Sequence, residues 1–273
     1  MKTVFIDIDG TLFNSERKVS QKNIKVLSLL KEKGINCYII SGRPRHKTMA
    51  IAKQANLGRY IISSTGADIY DYENNIVVFQ SALDKDSVKE VYKLACENNV
   101  TIELVCGFII YTNGDTSSTS FKKSIPQNDP KFFDTVNVSQ ILIEGQDYNT
   151  VLKLRDIVMS NYKKLNIANQ TKTFYDKSFT HDEFSSAYFD INSPKINKGE
   201  GVKRLCKKIG VDLKDTICIG DSMNDLSMFK IAGKSVAMAN SVKDVLAQAD
   251  EVTLSNNEDG VAEFLIKEFN LKI

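Results

Sequence analysis

A short run near the start, Asp7-Ile8-Asp9-Gly10-Thr11, sets two carboxylates two positions apart and follows them with a glycine and a hydroxyl. Residues two apart on a regular strand point to the same face, so both carboxylates reach one site if the strand runs through them. Three further segments carry matching chemistry. Ser41-Gly42 offers a hydroxyl and a helix-start amide, groups that hold a phosphate oxygen. Lys198, after Asn197, offers one ammonium, and Gly220-Asp221-Ser222-Met223-Asn224-Asp225 adds two more carboxylates among neutral polar groups. Taken singly, each has an ordinary reading: a strand-end turn, a Ser-Gly turn, a solvated lysine, an N-cap. Together they ask for more. Carboxylates crowded into one place repel each other unless a cation neutralises them. A donor set of oxygens without thiolates suits Mg²⁺, which keeps several waters and often bridges to phosphate.

These segments need a scaffold that delivers them to one crevice, and the hydropathy spacing predicts one. A buried strand from Val4 leads into the first carboxylates. Ser20 caps a helix with Ile24, Leu27 and Leu30 on one face, stopped by Gly34. A second strand covers Ile35 to Ile40, a helix runs from Pro44 to about Asn56, and a third strand covers Tyr60 to Ser63. Strand and helix in alternation predict a parallel sheet with right-handed crossovers, and such sheets bind ligands beyond the carboxyl ends of their strands.

The rhythm changes after Ile69. A hairpin turning at Asn74-Asn75 precedes a helix through Val88, Val91, Tyr92 and Ala95. Strands follow near 101–105 and 108–112, then a polar loop over 114–120, a helix carrying Val151, Leu154 and Val158, and strands near 171–175 and 187–191. After Pro194 the α/β rhythm resumes, with a helix from Lys198, strands near 216–219, 235–239 and 251–254, and helices after Gly220, over 242–248 and over 260–269. The fold class predicted is α/β: a Rossmann-like parallel-sheet core in two parts, 1–82 and 193–273, with an inserted α+β domain over 83–192.

Composition narrows the function classes. The 273 residues are 42% hydrophobic and 26% charged, values of an ordinary globular chain. With 36 basic and 34 acidic residues the net charge is +2, which gives no global field for nucleic acid or an anionic membrane. The five cysteines are scattered without a CxxC pair, so neither a disulfide framework nor a zinc knuckle is expected; they read as small core residues of a cytoplasmic protein. No apolar run is long enough to span a bilayer.

The order and spacing of the four segments resemble the haloacid dehalogenase (HAD) superfamily, specifically the Cof-type sugar-phosphate phosphatases with a subfamily IIB (C2B-type) cap, over essentially the whole chain. DxDGT is Asp7, Asp9, Gly10 and Thr11; the second motif is Ser41, the third Lys198, the fourth Gly220-Asp221 with Asn224-Asp225. One departure is Thr65-Gly66-Ala67, where many relatives show Asn-Gly-Ala. The resemblance implies that Asp7 attacks phosphorus to form an aspartyl-phosphate and that Asp9 serves as general acid and then base. It further implies Mg²⁺ held by the Asp7 carboxylate, the Asp9 carbonyl and Asp221, with Asp225 supporting through the metal's water shell. Phosphate oxygens are then held by the Ile8 amide, Ser41, Gly42, Lys198 and Asn224. Arg43, Arg45 and His46, and His181 in the insert, are candidate substrate contacts, each with a bland reading as a solvated helix start or polar loop. The expected partner is a small phosphorylated metabolite, with no nucleic acid and no membrane, and the expected assembly a monomer or weak homodimer. Two alternatives stay open: a phosphohexomutase of the phosphomannomutase type, which returns phosphate to a sugar, and a non-catalytic phospho-ligand sensor, against which the presence of Asp7, Asp9 and Lys198 argues.

Overall fold

Val4, Phe5 and Ile6 are wholly buried on β1 (Thr3–Ile6), and β2 (Cys37–Ile40) and β3 (Tyr60–Ser63) are buried along their whole length. Strands covered by helices on both faces have to be apolar in this continuous way. These elements belong to a computed structural model that describes residues 2–127, 129, 131–172 and 187–272. The crossovers are α1 (Gln21–Glu32) and α2 (Arg45–Gln54). α1 starts where the Ser20 side chain accepts the Asn23 amide, and it buries Val26, Leu27 and Leu30 on one face. β4 (Asp68–Asp71) turns back antiparallel on β3, and β5 (Ile76–Gln80) forms the edge.

The next elements are α3 (Lys85–Glu97), β6 (Thr101–Cys106), β7 (Ile109–Thr112), β8 (Lys122–Ser124), α4 (Phe132–Thr135), β9 (Gln140–Gly145), α5 (Tyr148–Asn161), β10 (Asn166–Lys172) and β11 (Ala187–Asn192). The chain then runs through α6 (Lys198–Ile209), β12 (Thr216–Gly220), α7 (Leu226–Phe229), β13 (Lys234–Ala237), α8 (Lys243–Leu246), β14 (Glu251–Val252) and α9 (Gly260–Glu268). It divides into two compact units: residues 1–79 with 197–273, and residues 80–196.

In the first unit the eight-stranded sheet has the order β14-β13-β12-β1-β2-β3-β4-β5. All pairings from β14 to β3 are parallel, with Phe5 level with Cys218 on one side and Tyr38 on the other. Phe5, Tyr38, Ile40 and Ile62 pack with Val202, Leu205 and Cys206 of α6. In the second unit the six-stranded sheet has the order β10-β11-β9-β6-β7-β8 and is antiparallel except for β7 with β8. Its Ile102, Leu104, Ile141, Ile143, Phe189 and Ile191 join Val88 and Val91 of α3 and Val151, Leu154 and Val158 of α5 in one core. The α/β core with an α+β insertion is therefore the observed fold class.

Three features depart from the sequence-based expectation. Between the polar loop and α5 the spacing predicts nothing, yet β8, α4 and β9 lie there, and β9 sits between β6 and β11 in the second sheet. The strand expected near 171–175 runs instead over Asn166–Lys172 among the described residues. Cys37, Cys206 and Cys218 are buried as expected, but Cys96 is exposed. No helix among the described residues is long and apolar enough to cross a membrane.

Candidate active site

β1 stops at Ile6, and the chain turns at once. The amides of Thr11 and Phe13 donate to the Ile8 carbonyl, and the Leu12 amide donates to that of Asp7. Gly10 takes φ +80°, and a Cβ there would fall 2.3 Å from an Asp221 carboxylate oxygen. Only glycine lets the first motif close against the fourth. The turn splits the two aspartates that a regular strand would have aligned: Asp7 is buried, whereas the Asp9 side chain is about half exposed.

Lys198 enters from the first turn of α6, which begins where the Asn197 side chain accepts the Glu200 amide at 2.9 Å. Its side chain is 1% exposed, and Nζ lies 2.7 Å from Asp7 Oδ1 and 2.6 Å from Asp225 Oδ1. Asp225 is fully buried; its other oxygen accepts the amides of Asp221 at 3.0 Å and Ser222 at 2.9 Å. Thr11 Oγ1 donates to Asp221 Oδ1 at 2.9 Å and fixes that carboxylate. Asp7, Asp221 and Asp225 each bring an oxygen within 4.8 Å of the others.

Burial pushes the Asp7 carboxyl well above the ordinary carboxylate range; Lys198 opposes this, while Asp225 and Asp221 add to it. Burial acts to lower the Lys198 ammonium, but Asp225 and Asp7 outweigh it and raise it. Three clustered carboxylates thus face one ammonium, an excess of negative charge that a divalent cation offsets. The donors are all carboxylate oxygens, from Asp7, Asp221 and Asp225. The residues fit a hard dication of the Mg²⁺ kind.

The remaining predicted residues fall into two groups. Ser41 and Gly42 follow β2, the neighbour of β1, and Ser41 is buried with Oγ accepting the Arg43 amide at 3.1 Å. Asn224 is half-buried, its Oδ1 accepting from Ser222 Oγ at 2.8 Å. Arg43 forks onto the Asp9 carboxylate, with Nε 2.7 Å from Oδ2, and lies over the Phe13 ring. Arg45 and His46 are a correction. Both are buried in the first turn of α2, which overturns the solvated helix start, and Arg45 forks onto buried Asp68 and stacks over Tyr70. His181 lies outside the described residues. The reading of the sequence missed Thr11 as the anchor of Asp221 and Arg43 as the partner of Asp9; both sit inside segments already singled out, but their pairing requires the turn.

A family model for haloacid dehalogenase-like hydrolases matches residues 4–265. Phosphatase YwpJ of Bacillus subtilis is 31% identical, over 97% of this chain and 99% of its own. A haloacid dehalogenase-like hydrolase from Bacteroides thetaiotaomicron superposes with a TM-score of 0.81 at 28% identity, covering 98% of this chain and 99% of that one. A HAD subclass IIB sugar phosphatase shares the fold, with a TM-score of 0.78 at 23% identity over 99% of both chains.

Proposed function

The chain belongs to the haloacid dehalogenase-like hydrolase family and is a phosphatase of that family, and we propose that it hydrolyses phosphate monoesters of small metabolites, sugar phosphates among them, through a phosphoryl group carried on Asp7. The observation that carries this reading is the buried Asp7–Lys198–Asp225 chain with Asp221 beside it. A carboxylate held in a dry, fixed place beside an ammonium is a nucleophile that needs little rearrangement.

In the proposed reaction the free Asp7 oxygen bonds to phosphorus as the ester P–O bond breaks. Asp9 gives its proton to the leaving alkoxide. Water then attacks the same phosphorus, Asp9 takes back a proton, and Asp7 is released with inorganic phosphate. Asp9 carries out these transfers only after Arg43 gives up at least one of its oxygens, because both accept from the guanidinium. The amide of Ile8, the Ser41 hydroxyl, the Gly42 amide, Lys198 and Asn224 hold the phosphoryl oxygens and stabilise the charge spread over them. Asp7, the Asp9 carbonyl and Asp221 would hold Mg²⁺, with Asp225 bracing the loop behind them. When bound, the ion neutralises the carboxylates and draws charge from the phosphoryl oxygens.

The test is a phosphate-release screen over phosphorylated metabolites, with and without Mg²⁺. Metal-dependent release from sugar phosphates or comparable esters is expected. Release that is the same in chelator, or phosphate passed only to a second sugar hydroxyl, would overturn the proposal.

A further inference from the structure

We propose that the turn Ser64-Thr65-Gly66 sets the Ser41–Arg43 loop against Lys198, and that Thr65 is its positioning residue; this deepens, and rests on, the phosphatase reading of that site. The turn is strained where it is most buried. Ser64, Thr65 and Gly66 take φ values of +50°, +59° and +99° in succession. A β-branched residue in the left-handed region is an outlier, since its Cβ crowds the backbone. Thr65 is 2% exposed, and its hydroxyl forms no hydrogen bond with the described residues. Two costs therefore fall on one side chain, and such strain persists only where the surroundings over-determine the conformation.

The surroundings point to what the strain serves. The Thr65 amide donates to the Ser41 carbonyl and the Ser64 amide to the Arg43 carbonyl, both at 2.9 Å, so the two carbonyls that flank Gly42 are tied to this turn. On its other side the turn meets α6. A Cβ on Gly66 would lie 2.4 Å from the Asn197 carbonyl oxygen, and one on Gly201 would lie 3.0 Å from the Gly66 Cα. Asn197 and Gly201 bracket Lys198 in the sequence. Just before the turn, Ser63 Oγ donates at 2.6 Å to Asp68, the carboxylate onto which Arg45 forks. One turn thus spaces the hydroxyl and amides after β2 from the lysine at the start of α6. Relaxation at Thr65 would be transmitted to both, and a phosphate grip tolerates only about 0.5 Å of misplacement.

The test compares Thr65→Asn and Thr65→Gly in the full chain, with inorganic phosphate plus Mg²⁺ as the calorimetric probe and thermal unfolding alongside. Asn accepts the left-handed region more readily than Thr, so Thr65→Asn should unfold about 2–4 °C higher and bind phosphate within about twofold of wild type. Gly accepts that region but does not enforce it. Thr65→Gly should therefore unfold within about 2 °C of wild type yet hold phosphate about tenfold more weakly, with KM rising more than kcat falls. Phosphate binding by Thr65→Gly as tight as wild type, or weakened only in step with a fall in melting temperature, overturns the positioning role. A Thr65→Asn protein that unfolds no higher than wild type overturns the strain. A wild type that binds phosphate but hydrolyses no ester removes only the phosphatase reading; one that binds no phosphate removes both.

Discussion

In the unit formed by residues 1–79 and 197–273, Lys198 pairs with Asp7 and Asp225, and Arg45 with Asp68, all nearly without exposure. In the 80–196 unit the pairs Lys164–Asp84, Lys122–Glu103 and Arg155–Asp156 keep water on both partners. Exposed pairs are worth roughly 0–1 kcal/mol and are easily replaced. Buried pairs repay their desolvation only with good geometry, and apolar residues often serve stability as well. The contrast lies in the ion pairs: the first unit retains buried pairs that stability alone does not require, while the described pairs of the second are at least partly exposed and its Asp84 and Asp147 cap α3 and α5.

The comparison is broken most severely at Asp7. Asp7→Asn keeps the shape but makes a poor nucleophile, and turnover should fall by roughly 10³-fold or more while circular dichroism stays native. Wild-type phosphate release by a deamidation-free Asp7→Asn protein would show that Asp7 is not the nucleophile. Lys198→Met comes next. It strands two buried carboxylates, so urea unfolding should show a loss of about 3–5 kcal/mol, together with lost activity. A loss below about 1 kcal/mol, the value of an exposed pair, would erase the contrast between the units.

Asp9→Asn should divide substrates rather than abolish them all. Alkyl phosphates, whose leaving alkoxide needs a proton, should slow by about 10²-fold, and an aryl phosphate much less. Equal slowing of both, with chemistry shown to limit each, would deny Asp9 the acid role.

The smallest effect belongs to the other unit. The Lys164 ammonium, then the Ser87 hydroxyl and amide, hold the Asp84 carboxyl at about 2, below its ordinary 3.8. A carboxyl lowered on folding stabilises fully above its unfolded value and loses that contribution as pH falls through the folded one. Asp84→Ala should cost about 1 kcal/mol at neutral pH, and the gap from wild type should close between about pH 4 and pH 2 in denaturant titrations.

What the sequence made legible was local. Each motif lies in one turn, and its place at a strand end follows from the strand–helix rhythm. The meeting of Asp7 with Asp225 then needs only β1 beside β12. What stayed hidden was decided by partners distant in the chain. Ile141-Leu142-Ile143 is too short an apolar run to declare itself as β9; it is a strand because β6 and β11 flank it. Asp9 leaves Asp7 because β1 ends at Ile6, a boundary no hydropathy pattern marks. The fork of Arg45 onto Asp68, on β4, is likewise set by a partner that sequence spacing does not mark.

The pairing of Thr3 with Thr216 across β1 and β12 also fixes an order of events during synthesis. Residues 80–196 are contiguous, and their sheet can close as soon as they have emerged. β1 instead waits for β12, which follows it by roughly 10–40 s at ordinary rates of translation. Through that interval β1 to β3 have no neighbour on the β12 side, an open apolar edge of the kind that recruits chaperones or other nascent chains. Asp7 is made well before Lys198, Asp221 and Asp225, the groups that complete its surroundings.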